Sequence, residues 1–170
     1  LRVAPDGKLA YAFGAAGNTI QVVNLGKSEV VDEIAVQPVA GLAATLQDVA
    51  VLDDMLVVAA AGAGGSTLYV YSRKDGAEIS RLSFVDIQIV RLGAVPLDKN
   101  RVYAIVQGQG LYRFVPRDLT AGDFDAPLAA FNASGHLEVG TSLSEGALFA
   151  TSAAAGAPSS AYTQVEVLDV

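Results

Sequence analysis

The chain has one histidine, His136, in the stretch NASGHLEV. Imidazole titrates near neutrality, so His136 could act as a general base or a metal ligand. Either role needs company, and one histidine makes neither a catalytic triad nor a multi-histidine metal site. Ser134-Gly135 just before it reads as a turn opening a strand, which places His136 at a surface turn. Asp123 and Asp125, in GDFDAP, have the D-x-D spacing that begins some calcium loops. Such a loop needs further oxygen ligands and a closing glutamate. Ala126-Pro127 offers neither, so the two aspartates are expected to be loop anions. Asn132-Ala133-Ser134 fits the acceptor triplet for N-glycosylation.

Phosphate chemistry has little to stand on. The runs AGAGGS (61–66) and GQG (108–110) are not followed by Gly-Lys-Ser/Thr, and neither opens a helix whose dipole would hold an anion. Hairpin turns account for both. Serines are plentiful, but no G-x-S-x-G elbow exists. Arg73, Arg91, Arg101, Arg113 and Arg117 are expected to be solvated or paired with acidic turn residues. Tyr69, Tyr71, Tyr103, Tyr112 and Phe114 fall at spacings that suit packing between sheets. The chain has no cysteine, which excludes disulfides, thiolate catalysis, zinc–sulfur sites and covalent heme attachment. No catalytic, cofactor-binding or metal-binding residue is assigned, and no cofactor is expected.

Bulk properties narrow the partners. The formal charge is −7, with only 11 Lys and Arg and no basic run. Nucleic-acid binding needs a cationic footprint, so that class is excluded, as are anionic membrane surfaces. Apolar residues make up 52% of the chain, which argues against disorder. They come in short runs, none near the ~18 needed to cross a bilayer as a helix. Leu1 falls inside a pattern rather than at its start, which predicts further polypeptide upstream.

That pattern is what positions any site. Four stretches share one plan: VAPDGKLAYAFGAAGNTIQVVNL (3–25), LDDMLVVAAAGAGGSTLYVYSR (52–73), LDKNRVYAIVQGQGLYRFVPR (97–117) and SEGALFATSAAAGAPSSAYTQVEVLD (144–169). Each has a polar turn, an apolar run, a small-residue gap and an alternating run. Asp6, Asp53, Asp98 and Glu145 mark the turns, at separations of 47, 45 and 47 residues. Pro5-Asp6-Gly7 has turn chemistry: proline presets φ, aspartate can bond its own backbone and glycine takes positive φ. Strands are predicted over 9–13, 19–25 and 29–36, then 46–52, 55–60, 67–73 and 78–84. The third unit follows with 88–95, 101–107, 110–116 and 128–131, and the fourth with 137–143, 147–152 and 162–170. Pro38–Leu46 could hold one helical turn, and no longer helical period exists.

Four short strands recurring every ~45 residues suit the blade of a β-propeller, because one small twisted sheet cannot bury both its faces alone. Small residues in each second strand (Ala59, Ala60, Ala104, Ala150) suit crowding near a central axis. Residues 4–36, APDGKLAYAFGAAGNTIQVVNLGKSEVVDEIAV, resemble the YVTN-type propeller repeat. Pro5-Asp6-Gly7-Lys8, Asn18-Thr19 and Val22-Val23-Asn24 carry the likeness. Phe13-Gly14 and Asn24 depart from it, and later units are more degenerate.

The expected fold is therefore all-β: a propeller or a contiguous part of one. It would have about four blades of four antiparallel strands, roughly 1–37, 45–85, 87–132 and 136–170, with the first and last incomplete. The expected function is a non-enzymatic scaffold that contacts a protein partner or remaining propeller blades, with no membrane insertion. The alternative is a fragment of a larger propeller enzyme, a lactonase-like hydrolase or periplasmic oxidoreductase, whose catalytic residues lie in other blades. The repeat type implies an extracellular or periplasmic location.

Overall fold

A computed structural model describes residues 1–14, 17–37, 45–94 and 101–130, together with the strands at 137–141, 147–153 and 162–169. The strands are β1 (Arg2–Val3), β2 (Leu9–Phe13), β3 (Thr19–Asn24), β4 (Glu29–Ala35), β5 (Thr45–Val51), β6 (Met55–Gly62), β7 (Gly65–Ser72) and β8 (Glu78–Val85). They continue as β9 (Ile89–Ala94), β10 (Val102–Val106), β11 (Gly110–Phe114), β12 (Ala129–Ala130), β13 (Leu137–Thr141), β14 (Ala147–Ala153) and β15 (Tyr162–Asp169). They form four antiparallel sheets, each in chain order: β1–β4, β5–β8, β9–β12 and β13–β15. Among the described residues the fold is all-β, with three four-stranded sheets and a fourth sheet of three strands.

The first strand of each sheet lies innermost. β5 packs beside β1 on one side and β9 on the other, and β13 lies beside β9, so the sheets fan from a common axis. Among the described residues no comparable contact joins β13 to β1. Cores form between successive sheets. Tyr11, Ile20 and Val22 of the first sheet meet Val49, Leu56, Val58, Tyr69 and Tyr71 of the second. The second sheet's other side, with Ala50, Val57, Leu68 and Val70, meets Leu92, Val102, Ala104, Tyr112 and Phe114 of the third. The central sheet is thus covered on both faces, which explains why β6 is a continuous apolar run and why β7 is buried residue after residue rather than on one side.

The expected small residues fall differently from a simple axial crowding. Ala59, Ala60 and Ala104 lie in second strands, one step out from the axis, and pack within the cores between sheets. Ala150 lies outside the residues whose side chains are described. The strand expected over 110–116 stops at Phe114, because Pro116 opens a 3-10 turn over Pro116–Asp118. A second such turn, Ala121–Phe124, drives Phe124 back into the core, 4.5 Å from Phe84 and 5.2 Å from Tyr112 between ring centres. Most of the stretch 38–46 lies outside the described residues, and Thr45 and Leu46 belong to a strand.

One glycine is fixed by contact as well as by angle. Gly65 opens β7 at φ +136°, and a Cβ there would sit 2.0 Å from the Phe84 carbonyl oxygen. Gly7 also has positive φ, +68°, but open space around it. Gly65→Ala is therefore expected to destabilise the protein by more than ~2 kcal/mol, from strain plus a displaced β8. Gly7→Ala should cost only about 1 kcal/mol, the left-handed penalty alone. Urea denaturation of the two variants checks the order, and equal losses would contradict it.

Candidate functional site

Three non-tyrosine polar side chains are buried among the described residues: Asp48, Ser66 and Thr67. Each is spent on joining strands. Asp48 sits on β5 near the axis. Its Oδ1 accepts from Arg2 Nε at 3.1 Å, from Arg2 Nη2 at 2.7 Å and from the Val49 amide at 2.9 Å. Its Oδ2 accepts from Arg2 Nη2 at 2.6 Å and from the Leu92 amide at 3.0 Å. Arg2 lies on β1 and Leu92 on β9, so one carboxylate ties three innermost strands together. Arg2 Nε also donates to the Val49 carbonyl. A bulge in β5 between Leu46 and Asp48 turns the aspartate to reach both neighbours. Ser66 Oγ accepts the Ile89 amide at 2.8 Å, joining the second sheet to the third. Thr67 and Ser83 share a hydroxyl bond within the second sheet.

The connections between strands alternate between two rims. The turns at 4–8, 25–28, 52–54, 73–77 and 115–128 share one rim, since antiparallel strands reverse at every step. The described residues 14, 17–18, 36–37, 63–64, 86–88 and 107–109 share the other. Among the described residues the first rim carries thirteen charged side chains, Arg101 before β10 included, and the second carries Asp86 alone.

Several charges of the first rim are engaged within the protein, two pairs of them with each other. Arg73, expected to be a surface cation, is held between two sheets with its side chain only 10% exposed. It donates to the Tyr11 hydroxyl at 2.9 Å and to the Leu52 and Asp53 carbonyls, and lies 3.6 Å from the Asp6 carboxylate. Arg117 pairs with Asp54, as expected of an arginine near an acidic turn. Arg113 is exposed. Asp123 is held by a capping box, accepting from the Thr120 amide and hydroxyl. Asp6 accepts the Lys8 amide, and that bond, helped by Arg73, holds its carboxyl below the usual range. Asp75 is lowered likewise, chiefly by the Ser72 hydroxyl and then by the Ala77 amide.

The described residues of the second rim are mostly Gly, Asn and Gln, with Val36, Ala63, Asp86 and Ile87 among them. The rim is stitched by neutral hydrogen bonds: Gln107 amide to Gln88 carbonyl at 2.8 Å, Gln88 Nε2 to Gly62 carbonyl at 2.7 Å, and Tyr69 hydroxyl to Gln37 carbonyl at 2.8 Å. Asn18, Gln107, Gly108 and Gln109 are exposed. A shallow groove of about 410 Å³ opens beside this rim on the first sheet, lined by Ala12, Phe13, Gly14, Thr19, Gln21 and Glu33.

The aromatic residues are core, as their spacing implied. Tyr69 and Tyr71 stack at 6.1 Å in the first core, and Tyr112 and Phe114 lie in the second. The Tyr71 hydroxyl is buried without a hydrogen-bond partner. Burial first and Glu78 second push its pKa up, so it stays neutral. Among the described residues no group of three or more His, Asp or Glu is placed to hold a metal ion. His136 and the Asn132–Ser134 triplet lie outside the described residues. No helix among the described residues is long and apolar enough to cross a membrane.

No family model matches the sequence, and no curated protein matches it. Solved structures do. Hydrazine synthase of Kuenenia stuttgartiensis aligns over 99% of this chain and 48% of its own, at 16% identity and TM-score 0.66. The β-propeller domain of Myceliophteria thermophila Cps50 (Swd1) aligns over 99% and 50%, at 11% identity and TM-score 0.59. NirN, a dihydro-heme d1 dehydrogenase in complex with DHE, aligns over 99% and 33%, at 15% identity and TM-score 0.62. The likeness is one of fold, and it makes the architecture that of a β-propeller. The chain spans half or less of the length of each.

Two outcomes follow from the joints. Arg2→Ala should cost about 3 kcal/mol, because it leaves the buried Asp48 carboxylate without its cation, and Asp48→Ala should cost less, because the half-exposed Arg2 side chain can turn to water. The double variant should cost little more than one alone, whereas Arg117→Ala, at an exposed pair, should cost under ~1 kcal/mol. Denaturant titrations of the four proteins read this, and additive losses would rule out the coupling. The lowered Asp6 and Asp75 groups add stability that is present above the ordinary carboxylate value and lost as pH falls through their folded values. Stability should thus decline between about pH 5 and about pH 3, less steeply in a protein carrying Asp6→Asn and Asp75→Asn.

Proposed function

We propose that the chain is part of a larger propeller that serves as a non-enzymatic scaffold, and that its uncharged rim is the face presented to a protein partner. One observation carries this reading: the segregation of charge between the two rims. Bringing a charge into an interface strips its water, so interface cores are depleted of charged side chains. The second rim has already shed them, Asp86 apart, and offers amide donors and acceptors at Asn18, Gln107 and Gln109. The opposite rim uses its charges to clamp sheet to sheet, and the axial carboxylate does the same. The likeness of residues 4–36 to the YVTN-type repeat supports this role and an extracellular or periplasmic setting.

A second reading makes the chain a portion of a propeller enzyme, a lactonase-like hydrolase or a periplasmic oxidoreductase. The fold likeness to hydrazine synthase and NirN is the observation behind it. In that case the reacting groups belong to blades beyond this chain.

Photocrosslinking separates the two. A photoreactive side chain at Gln109, on the uncharged rim, should trap one recurring protein in cells of the source organism. The same group at Lys74, on the charged rim, should not. Equal yields from both positions would defeat the rim assignment. A stoichiometric metal or heme in the purified protein, or turnover of a lactone, would favour the enzyme.

A further inference from the structure

The corner where β8 ends carries the most exposed large apolar side chain among the described residues. Val85 is 79% exposed, against 6% for Phe84 just before it. Its pair across the sheet is Gly65, which has no side chain to cover it. Gly65 cannot be larger, since a Cβ would strike the Phe84 carbonyl. The next residue, Asp86, has φ 61°, the left-handed region that side chains rarely take. Glycine would take it at less cost. Asp86 is exposed, is the sole charge among the described residues of the second rim, and has no hydrogen-bond or ion-pair partner for its carboxylate among them.

The backbone of this corner is held from several sides. The Asp86 amide donates to the Gly64 carbonyl at 3.3 Å, and the Gln107 amide to the Gln88 carbonyl at 2.8 Å. Gln88 Nε2 donates to the Gly62 carbonyl, and the Ile89 amide donates to Ser66 Oγ. A surface set before a partner arrives loses little freedom on contact. The corner belongs to the second sheet, which is covered by a neighbour on each face. The exposure of Val85 therefore comes from its place opposite Gly65 at the end of an outer strand, not from a missing sheet.

We propose that Val85 and Asp86 anchor the protein partner of the uncharged rim, and that this partner presents a lysine or arginine beside an aliphatic side chain. The inference rests on the scaffold reading given above and names the chemistry of its partner. Val85 gains by hiding apolar surface that the chain itself leaves wet. Asp86 gains a cation for a carboxylate that the protein leaves unpaired, and the formal charge of −7 draws the same sign of partner. An acidic segment meets repulsion at the same place. The exposed amides of Gln107 and Gln109 share this rim and add neutral hydrogen bonds.

Amide chemical-shift titration of the whole chain tests this with two probes: a blocked peptide with Leu-Arg set among glycines and serines, and its Leu-Glu counterpart. Up to about 5 mM, the range of one small contact, the Leu-Arg peptide should shift the amides of 64–65 and 85–88 and leave those of 73–77 unmoved. The Leu-Glu peptide should shift neither. Asp86→Asn should weaken the Leu-Arg peptide by about threefold or more and remove its salt dependence. Val85→Thr should weaken it too, whereas Ile79→Thr should not, although Ile79 is 49% exposed on the same strand. Asp86→Gly separates contact from folding: its urea midpoint should hold or rise, because glycine accepts positive φ, while the Leu-Arg shifts weaken. A fall in that midpoint makes Asp86 a structural residue and overturns the proposal. So do equal shifts from both peptides, shifts indifferent to Asp86→Asn, or no shift at all. Crosslinking at Gln109 reads the rim through neither residue, so a protein trapped there without any Leu-Arg shift sinks this corner and spares the rim.

Discussion

A carboxylate buried beside the axis holds the architecture together. Asp48 has its oxygens filled by a guanidinium from β1, by its own neighbour's amide and by an amide of β9. Sheets that pack only through apolar contacts can slide and rotate on one another, since the hydrophobic effect is non-directional. Hydrogen bonds to a charged group are directional and lose much when stretched. Asp48 therefore fixes the angular setting of three sheets that their cores merely hold together. Its burial is tolerable because its partners include a cation and two fixed backbone dipoles, which replace the water it gives up.

The same division of labour recurs outward from the axis. Midway along the blades, the cores of Tyr11, Ile20, Leu56 and Tyr69, and of Val57, Leu68, Tyr112 and Phe114, supply the bulk attraction. At the charged rim Arg73 grips two carbonyls, a tyrosine hydroxyl and a carboxylate that belong to two sheets. At the uncharged rim neutral amide bonds such as Gln88 to Gly62 link one sheet to the next. The exposed pair of Arg117 and Asp54 adds little by comparison, because water and salt screen it.

Much of this was legible in the amino-acid order. Turn residues such as Pro5-Asp6-Gly7 and Lys74-Asp75-Gly76 act locally, so their spacing exposes the repeat and the strands between. The alternation of charged turns with Gly- and Ala-rich gaps is also local, and the two rims are that alternation folded up. Asp48 was not legible. In LQDVAVL it resembles an ordinary polar position of a strand, and its partner Arg2 is 46 residues away. Nothing short-range says that a bulge will turn it inward. Arg73 was legible in part: its pairing with an acidic turn residue, Asp6, was expected, but its burial against Tyr11 and Leu52 depends on contacts between sheets that nothing short-range announces. The 3-10 turn that seats Phe124 was hidden in a stretch whose polar composition suggested only a loop.

The scaffold proposal turns on where the polar groups are already engaged. Chemistry at the axis would require a group free to change its protonation or its partners. Asp48 cannot change its partners without loosening three strands at once. Chemistry at the charged rim would compete with Arg73 for the contacts that keep two sheets in register. The uncharged rim carries no such duty in its side chains beyond a few neutral bonds, and Asn18, Gln107 and Gln109 can exchange water for a partner at small electrostatic cost. In the scaffold proposal, a fold that commits charges to its own joints leaves recognition to the surface from which charge is missing.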